Sequence, residues 1–205
     1  DSTTILQRAL QLPERRNPLT LQYAQELRKK FPDDRNLVAE VLSRFRNDKY
    51  YYTLSPPLLL DEHPVDDFLF NTRSGFCEHY ASAFTVLMRA AGIPARVVTG
   101  YLGGEINPVG GYILVRQADA HAWTEVWFPG TGWTRIDPTS AVSPSRVERG
   151  IASALPLSDP LPMFVRGNFE FLQQMRLAWD SVTYNWNQWV LGYNPDRQRL
   201  FLSQI

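Results

Sequence analysis

Near residue 92 the hydrophobic pattern changes period, and this change limits what the chain can fold into. Before it, apolar residues recur at helical spacing. Leu37, Val38, Val41, Leu42 and Phe45 fall on one face, and Ala81, Phe84, Leu87, Met88 and Ala91 do so again. Gly92, with Pro94 just beyond, stops the second run. From there the period is two. Residues 96–100, 112–116, 120–128 and 132–136 read as strands, separated by turns at Gly103-Gly104, Gly110-Gly111 and Pro129-Gly130-Thr131-Gly132. Helices followed by antiparallel strands make the α+β pattern, so helices packed on an antiparallel sheet are the expected core.

The helical part has its own punctuation. Asn17-Pro18 reads as a capped helix start, Leu19, Tyr23 and Leu27 as its apolar stripe, and Phe31-Pro32 as its stop. Asp33 and Asp34 are placed to cap the next helix. Residues 49–53 read as extended, Pro56-Pro57 forces a loop, and residues 65–70 read as a short helix ending at Ser74-Gly75. The expected organisation is a catalytic domain over 1–140, with a helical lead-in over 1–60 and a core over 65–140. A Pro-, Ser- and Ala-bearing linker or strap follows over 141–161, then a C-terminal helical segment over 162–205. Within that segment, residues 162–192 read as one amphipathic helix rich in rings, including Trp179, Tyr184, Trp186 and Trp189. Its charges at Arg166, Glu170, Arg176 and Asp180 argue against a membrane span.

Composition excludes whole classes of function. Lys+Arg and Asp+Glu are 21 each, so nothing favours nucleic acid or an acidic membrane surface. Apolar residues at 44% rule out a disordered chain. The one cysteine, Cys77, can form no internal disulfide and no Cys-rich zinc site. Cys77, Glu78 and His79 are adjacent, but consecutive helical side chains point apart, so no metal and no cofactor are expected. His63 reads as a loop histidine, and Arg96 with Glu125 as a pair between strands. The start at Asp1, without Met, reads as a piece of something longer.

Three residues carry the chemistry. Cys77 follows a Gly-containing turn and opens a helix, where unsatisfied N–H groups favour a thiolate. His121 lies on the strand face shared by Asp119, Trp123, Glu125 and Trp127. The other face, with Ala120, Ala122, Thr124, Val126 and Phe128, reads as the packing side. A hairpin turning near residue 129 or 130 places Asp137 close to His121 across the ladder. A sulfur nucleophile needs a base within hydrogen-bond reach, and the base needs a partner that fixes its tautomer. On spacing alone Asp119 rivals Asp137 for that last role. Trp123, Trp127 and Trp133 read either as core rings or as the wall of an apolar channel that disfavours water.

These residues sit in a string of ordered motifs: Gly75-Phe76-Cys77-Glu78-His79-Tyr80-Ala81, Ala91-Gly92-Ile93-Pro94-Ala95-Arg96, His121-Ala122-Trp123, Gly132-Trp133 and Asp137-Pro138-Thr139. Together they resemble the transglutaminase-like superfamily, with its papain-like Cys-His-Asp core. The resemblance assigns the catalytic roles to Cys77, His121 and Asp137 and so favours Asp137 over Asp119. The stretch Tyr51-Tyr52-Thr53-Leu54 and the tail around Trp189, Tyr193 and Arg197 are similar to the bacterial TgpA group. That likeness implies a periplasmic domain of a bacterial inner-membrane protein, tethered only through spans outside these residues. There are departures from the multidomain animal transglutaminases. Glu78 follows the cysteine where they carry Trp, nothing resembles their calcium loops, and no Trp precedes Cys77. The oxyanion donors expected here are the backbone N–H of Cys77 and, for the second, Tyr52 or Asn71, with Trp123 also lining the site.

The implied activity is acyl transfer from a glutamine-type carboxamide through a Cys77 thioester to a primary amine. The partners are then a protein or peptide bearing Gln and an amine acceptor. The competing readings are a cysteine peptidase or amidase acting on envelope peptides and a non-catalytic envelope-binding module.

Overall fold

The computed structural model describes residues 3–59, 62–149, 175 and 177–184. The elements expected from the sequence form nearly where the punctuation puts them. After a short helix α1 (Thr3–Arg8) come α2 (Pro18–Lys30) and α3 (Asp34–Asn47). A two-residue strand β1 (Tyr51–Tyr52), a helical turn α4 (Pro64–Asp66) widening into a π-helical stretch (Asp67–Thr72), and β2 (Ser74–Gly75) lead into α5 (Cys77–Ala90). Strands β3 (Ala95–Tyr101), β6 (Ala120–Phe128) and β7 (Gly132–Ile136) make an antiparallel sheet in the order β3-β6-β7. Two short helices, α6 (Thr139–Val142) and α7 (Pro144–Arg149), begin the segment expected as a linker. The rest of that segment lies outside the described residues. The architecture is α+β, as expected.

The core forms where α5 crosses the sheet. Tyr80, Ala81, Phe84, Leu87 and Met88 are fully buried on α5, and Cys77 and Ala81 pack against Ala122 of β6. The face of β6 that reads as the packing side is the one that packs. A buried polar link ties the two elements. Thr124 donates to the Ala81 carbonyl at 3.1 Å, so its hydroxyl accepts from Thr85 at 3.1 Å. These bonds hold the helix that starts at Cys77 against the strand that carries His121. An aromatic cluster of Phe45, Tyr50, Phe68, Tyr80 and Phe84 fills the other side of α5, mostly edge to face.

Two details depart from the sequence reading. The buried stripe of α2 is Thr20, Ala24 and Leu27, with Leu19 exposed. The reason is the cap. Asn17 adopts a left-handed conformation and does not cap its own helix. Instead its Oδ1 accepts from Val65 N at 3.0 Å, at the start of α4. Asp66 returns the favour, accepting from Leu19 N at 3.0 Å and from Thr20 N at 2.7 Å. His63 completes the knot by accepting from Asn17 N at 3.2 Å. Two helix starts distant in sequence thus satisfy each other's orphan N–H groups, and turning Thr20 toward Asp66 rotates Leu19 outward.

The chain divides into two compact units, residues 1–102 with 117–161, and residues 103–116 with 162–205. The second unit holds a hairpin of β4 (Glu105–Asn107) and β5 (Tyr112–Leu114), so residues 112–114 pair there and not in the main sheet. Asn107 organises the unit. Its side chain donates to Tyr112 and to the Leu177 carbonyl, both at 2.9 Å, and accepts from Val109 N. Residues 177–184 are helical; the rest of the expected C-terminal helix, Met175 apart, lies outside the described residues. Among the described residues no helix is long and apolar enough to cross a membrane.

Candidate active site

Each member of the expected triad is positioned by a different local device. The π-helical stretch ends at Arg73 in a left-handed conformation, and β2 pairs in parallel with β1. The chain then passes through extended Phe76 and opens α5 at Cys77. Phe76 makes no side-chain cap, so the first turn keeps its positive end near the sulfur. Cys77 is 7% exposed and packs with Ala81 and Ala122. It does not share a site with its neighbours. His79 turns away and lies edge-on to Phe76, at 4.6 Å between ring centres.

His121 sits on β6, buried although it faces away from the packing side. The hairpin pairs Phe128 with Gly132 around Pro129-Gly130-Thr131, which sets Thr124 opposite Ile136 as the last pair. Asp137 therefore lies one residue beyond the ladder and diagonal to His121, on the same face. The reach of the two side chains closes the diagonal, and His121 Nε2 stands 2.8 Å from Asp137 Oδ2. The other carboxylate oxygen is fixed by Thr139 N at 3.1 Å. Cys77 is the imidazole's second hydrogen-bonding neighbour. With Nε2 taken by Asp137, Nδ1 is the nitrogen left for the sulfur, and among the described residues no other group meets it. Burial alone pushes the imidazolium down. The hydrogen bonds to Asp137 and Cys77, and their negative charges, outweigh it and raise its pKa to about 9. The buried ring is therefore held as a cation at neutral pH. Asp119 ends a short 3₁₀ turn, and its carbonyl accepts from Leu102 N.

The other sequence candidates divide. Trp123 is at the site, its ring stacked on His121 at 6.3 Å and 22°. Its Nε1 is buried and has no hydrogen-bond partner. Trp127 and Trp133 pair with each other across the hairpin, at 5.9 Å. They lie roughly 20 Å along the strand from His121, so they do not wall the nucleophile. Tyr52 is 7% exposed on β1, beside Gly75 and hence close to the nucleophile's turn. Asn71 is not brought to the site: its exposed amide donates to Asp67 at 3.1 Å. Arg96 donates twice to Glu125, at 2.8 and 2.6 Å, as a cross-strand pair. Sequence reasoning passed over Arg135, whose guanidinium lies 4.1 Å from the Trp123 ring centre. Its place two residues before Asp137, on the same face, was the available signal. A cleft of about 240 Å³ runs along another flank of α5, lined by Pro64, Val65, Phe68, Glu78, His79 and Ser82 among others. None of the triad lines it. Among the described residues no cluster of three His, Cys, Asp or Glu could hold a metal.

The family profile of the transglutaminase-like superfamily matches residues 21–138. A protein-glutamine gamma-glutamyltransferase of Pseudomonas aeruginosa is 51% identical over 204 residues, covering 96% of this chain and 30% of that protein. The uncharacterized protein YebA of Bacillus subtilis is 48% identical over 83 residues, 38% of this chain and 11% of its own length. The crystal structure of the periplasmic domain of TgpA from Pseudomonas aeruginosa superposes with a TM-score of 0.72 at 52% identity, covering 76% of this chain and 54% of that one. The chain thus spans under a third of its Pseudomonas relative and about half of the solved domain. The family match takes in more than half of the 205 residues, including Cys77, His121 and Asp137. This chain is a member of the transglutaminase-like superfamily.

Proposed function

We propose that the protein is a periplasmic cysteine acyltransferase of transglutaminase type, with Cys77 as nucleophile, His121 as acid and base, and Asp137 as the group that orients His121. The observation that carries this reading is the buried His121 imidazole, set between Cys77 and Asp137 with its Nε2 2.8 Å from the carboxylate. A cation there favours the thiolate form of Cys77, which the helix start also favours. The thiolate sulfur attacks the carboxamide carbon of a glutamine side chain. The C–N bond breaks and ammonia leaves with the proton from His121, giving a thioester. A primary amine then attacks the thioester, His121 accepts its proton, and the sulfur leaves as thiolate. The products are an isopeptide and ammonia.

The backbone N–H of Cys77 is one donor to the oxyanion. Tyr52 is the better placed of the two side chains expected as a second donor, since β1 runs beside the residues that precede Cys77. The name of the Pseudomonas relative supports a glutamine donor, and the solved periplasmic domain supports the compartment. The experiment is incorporation of a labelled primary amine into a glutamine-rich protein, measured alongside ammonia release. Incorporation that disappears in Cys77→Ala is expected. Ammonia release without incorporation would make the protein a hydrolase, and neither signal would leave the fold as a binding module.

A further inference from the structure

We propose that Arg135 is a positioning residue for the base: it clamps Trp123 and Asp137 together against His121 and keeps their contact closed to water. The inference rests on the triad proposed above. Arg135 lies on β7 directly opposite Glu125. The ordinary role for such a residue is a cross-strand ion pair, but Glu125 is taken by Arg96. The guanidinium turns instead toward the site. Its flat face lies 4.1 Å from the Trp123 ring centre, and its Nη2 is 3.5 Å from Asp137 Oδ2, the same oxygen that meets His121.

Trp123 is the second layer of the clamp. Its ring stacks on His121, and its far edge lies over Gly100, the residue directly opposite His121 on β3. A Cβ at Gly100 would stand 3.0 Å from the indole, so the missing side chain is what lets the ring lie there. The indole is thus held between a glycine, the imidazole and the guanidinium. The exposures fit a cover. The His121 side chain is 0% exposed, Asp137 9% and Arg135 48%. Arg135 stands at the boundary with solvent. Asp137, one residue beyond β7, and Cys77 from α5 are charged or titratable groups that face the imidazole, and Arg135 acts through Asp137. A guanidinium suits this place because its broad, delocalised charge can lie over an indole and still pair with a carboxylate beside it, which an ammonium does less well.

The test uses the lone cysteine. The rate of Cys77 alkylation by iodoacetamide against pH reports the thiolate–imidazolium pair without any substrate. The parent should show a raised plateau bounded by a thiol limb below and an imidazolium limb above. Arg135→Leu should lower the plateau on the order of tenfold, and kcat with it, with KM little changed. It should also narrow the window from both ends, because a loosened pair lets each group move back toward its ordinary range. Trp123→Leu should do the same. The double variant should be no worse than either single one, since both act through one clamp. Arg135→Lys should fall in between. Melting curves exclude unfolding, and Arg135→Lys stands in should Arg135→Leu fold poorly. An unchanged profile in Arg135→Leu overturns the proposal. So do losses that multiply in the double variant, or two limbs that move up together with the plateau intact, the mark of a lost distant charge. A parent that reacts as an ordinary thiol overturns the triad, and this inference with it. A parent with the plateau but no amine incorporation overturns only the proposed acyl transfer.

Discussion

Asp137→Asn isolates what the carboxylate does, because the rest of its geometry survives the change. The amide oxygen can still accept from Thr139 N, which keeps the turn. Its NH₂ then faces His121 Nε2, forces that nitrogen to accept, and puts the ring proton on Nδ1 toward the sulfur. The magnitude follows from the imidazolium. Moving a histidine from its ordinary 6.5 to about 9 is worth on the order of 3 kcal/mol in favour of the cation. Burial works against that, and Asp137 is the first of the groups that overcome it. Removing the charge should take away most of the cation's stabilisation and let burial push the imidazolium down. A loss of about ten- to a thousandfold in turnover corresponds to roughly 1.4–4 kcal/mol, an interval that brackets that value. Two assays check it. The chain has three histidines, so the imidazole resonance of His121 can be followed by NMR through a titration, and turnover is measured by amine incorporation. The parent resonance should titrate near 9 and the Asp137→Asn resonance well below it. Asp119→Asn should cost less than about tenfold. An unmoved resonance with turnover within about threefold of the parent would refute the argument, as would an Asp119→Asn variant that is the crippled one.

Cys77→Ala should abolish amine incorporation at a stability cost of about 1 kcal/mol or less, read from urea unfolding, because it removes one sulfur at the edge of the core. The raised His121 pKa also makes stability fall with rising pH. The contribution is fully present below about 6.5 and is lost as the pH passes through about 9. In a Cys77→Ala background, where the thiol neither titrates nor raises the imidazole, the urea midpoint should still drop with rising pH, over a window that closes below about 9, and Asp137→Asn should flatten that slope. Gly75→Ala places a methyl 2.7 Å from Cβ and Cγ of His79, atoms that cannot swing aside freely. The expected cost is about 1–3 kcal/mol, with loss of alkylation at Cys77 two residues on; a melting temperature equal to the parent's would show that the turn has more room than it presents.

Elements were legible where a single residue type decides the backbone. Gly92 and Pro94 end α5, Pro32 follows the end of α2, and Asp33 caps α3 through Asn36 N at 2.9 Å. Cys77 and His121 were legible because their places, a helix start and the non-packing face of a strand, follow from local pattern. Asp137 was legible through motif more than register, since the ladder stops one residue short of it. What pattern could not reveal is pairing between distant positions. Asn17 reads as its own helix's cap because nothing local shows that Val65 will arrive to take it. Residues 112–116 read as a strand, but alternation marks a strand and not its partner, so the pairing of 112–114 with 105–107 was not legible. Arg135 drew no reading, because its place beside Trp123 and Asp137 is a tertiary fact.

The exchanged caps of α2 and α4 bear on how the chain folds. A helix normally carries its own start signal and can flicker into existence before anything else is in place. Here the acceptor for Thr20 N lies 46 residues downstream, so α2 lacks that stabilising cap until the intervening loop closes. The lead-in and the approach to Cys77 should therefore cross the folding barrier as one event, with slow hydrogen exchange at Leu19, Thr20 and Val65 lost together. The family match begins at residue 21, inside α2 and just past the amides that Asp66 binds. A chain cut there would keep Cys77, His121 and Asp137 and leave the buried Asp66 carboxylate without Leu19 N and Thr20 N. The segment that folds as a unit is larger than the segment that is recognised.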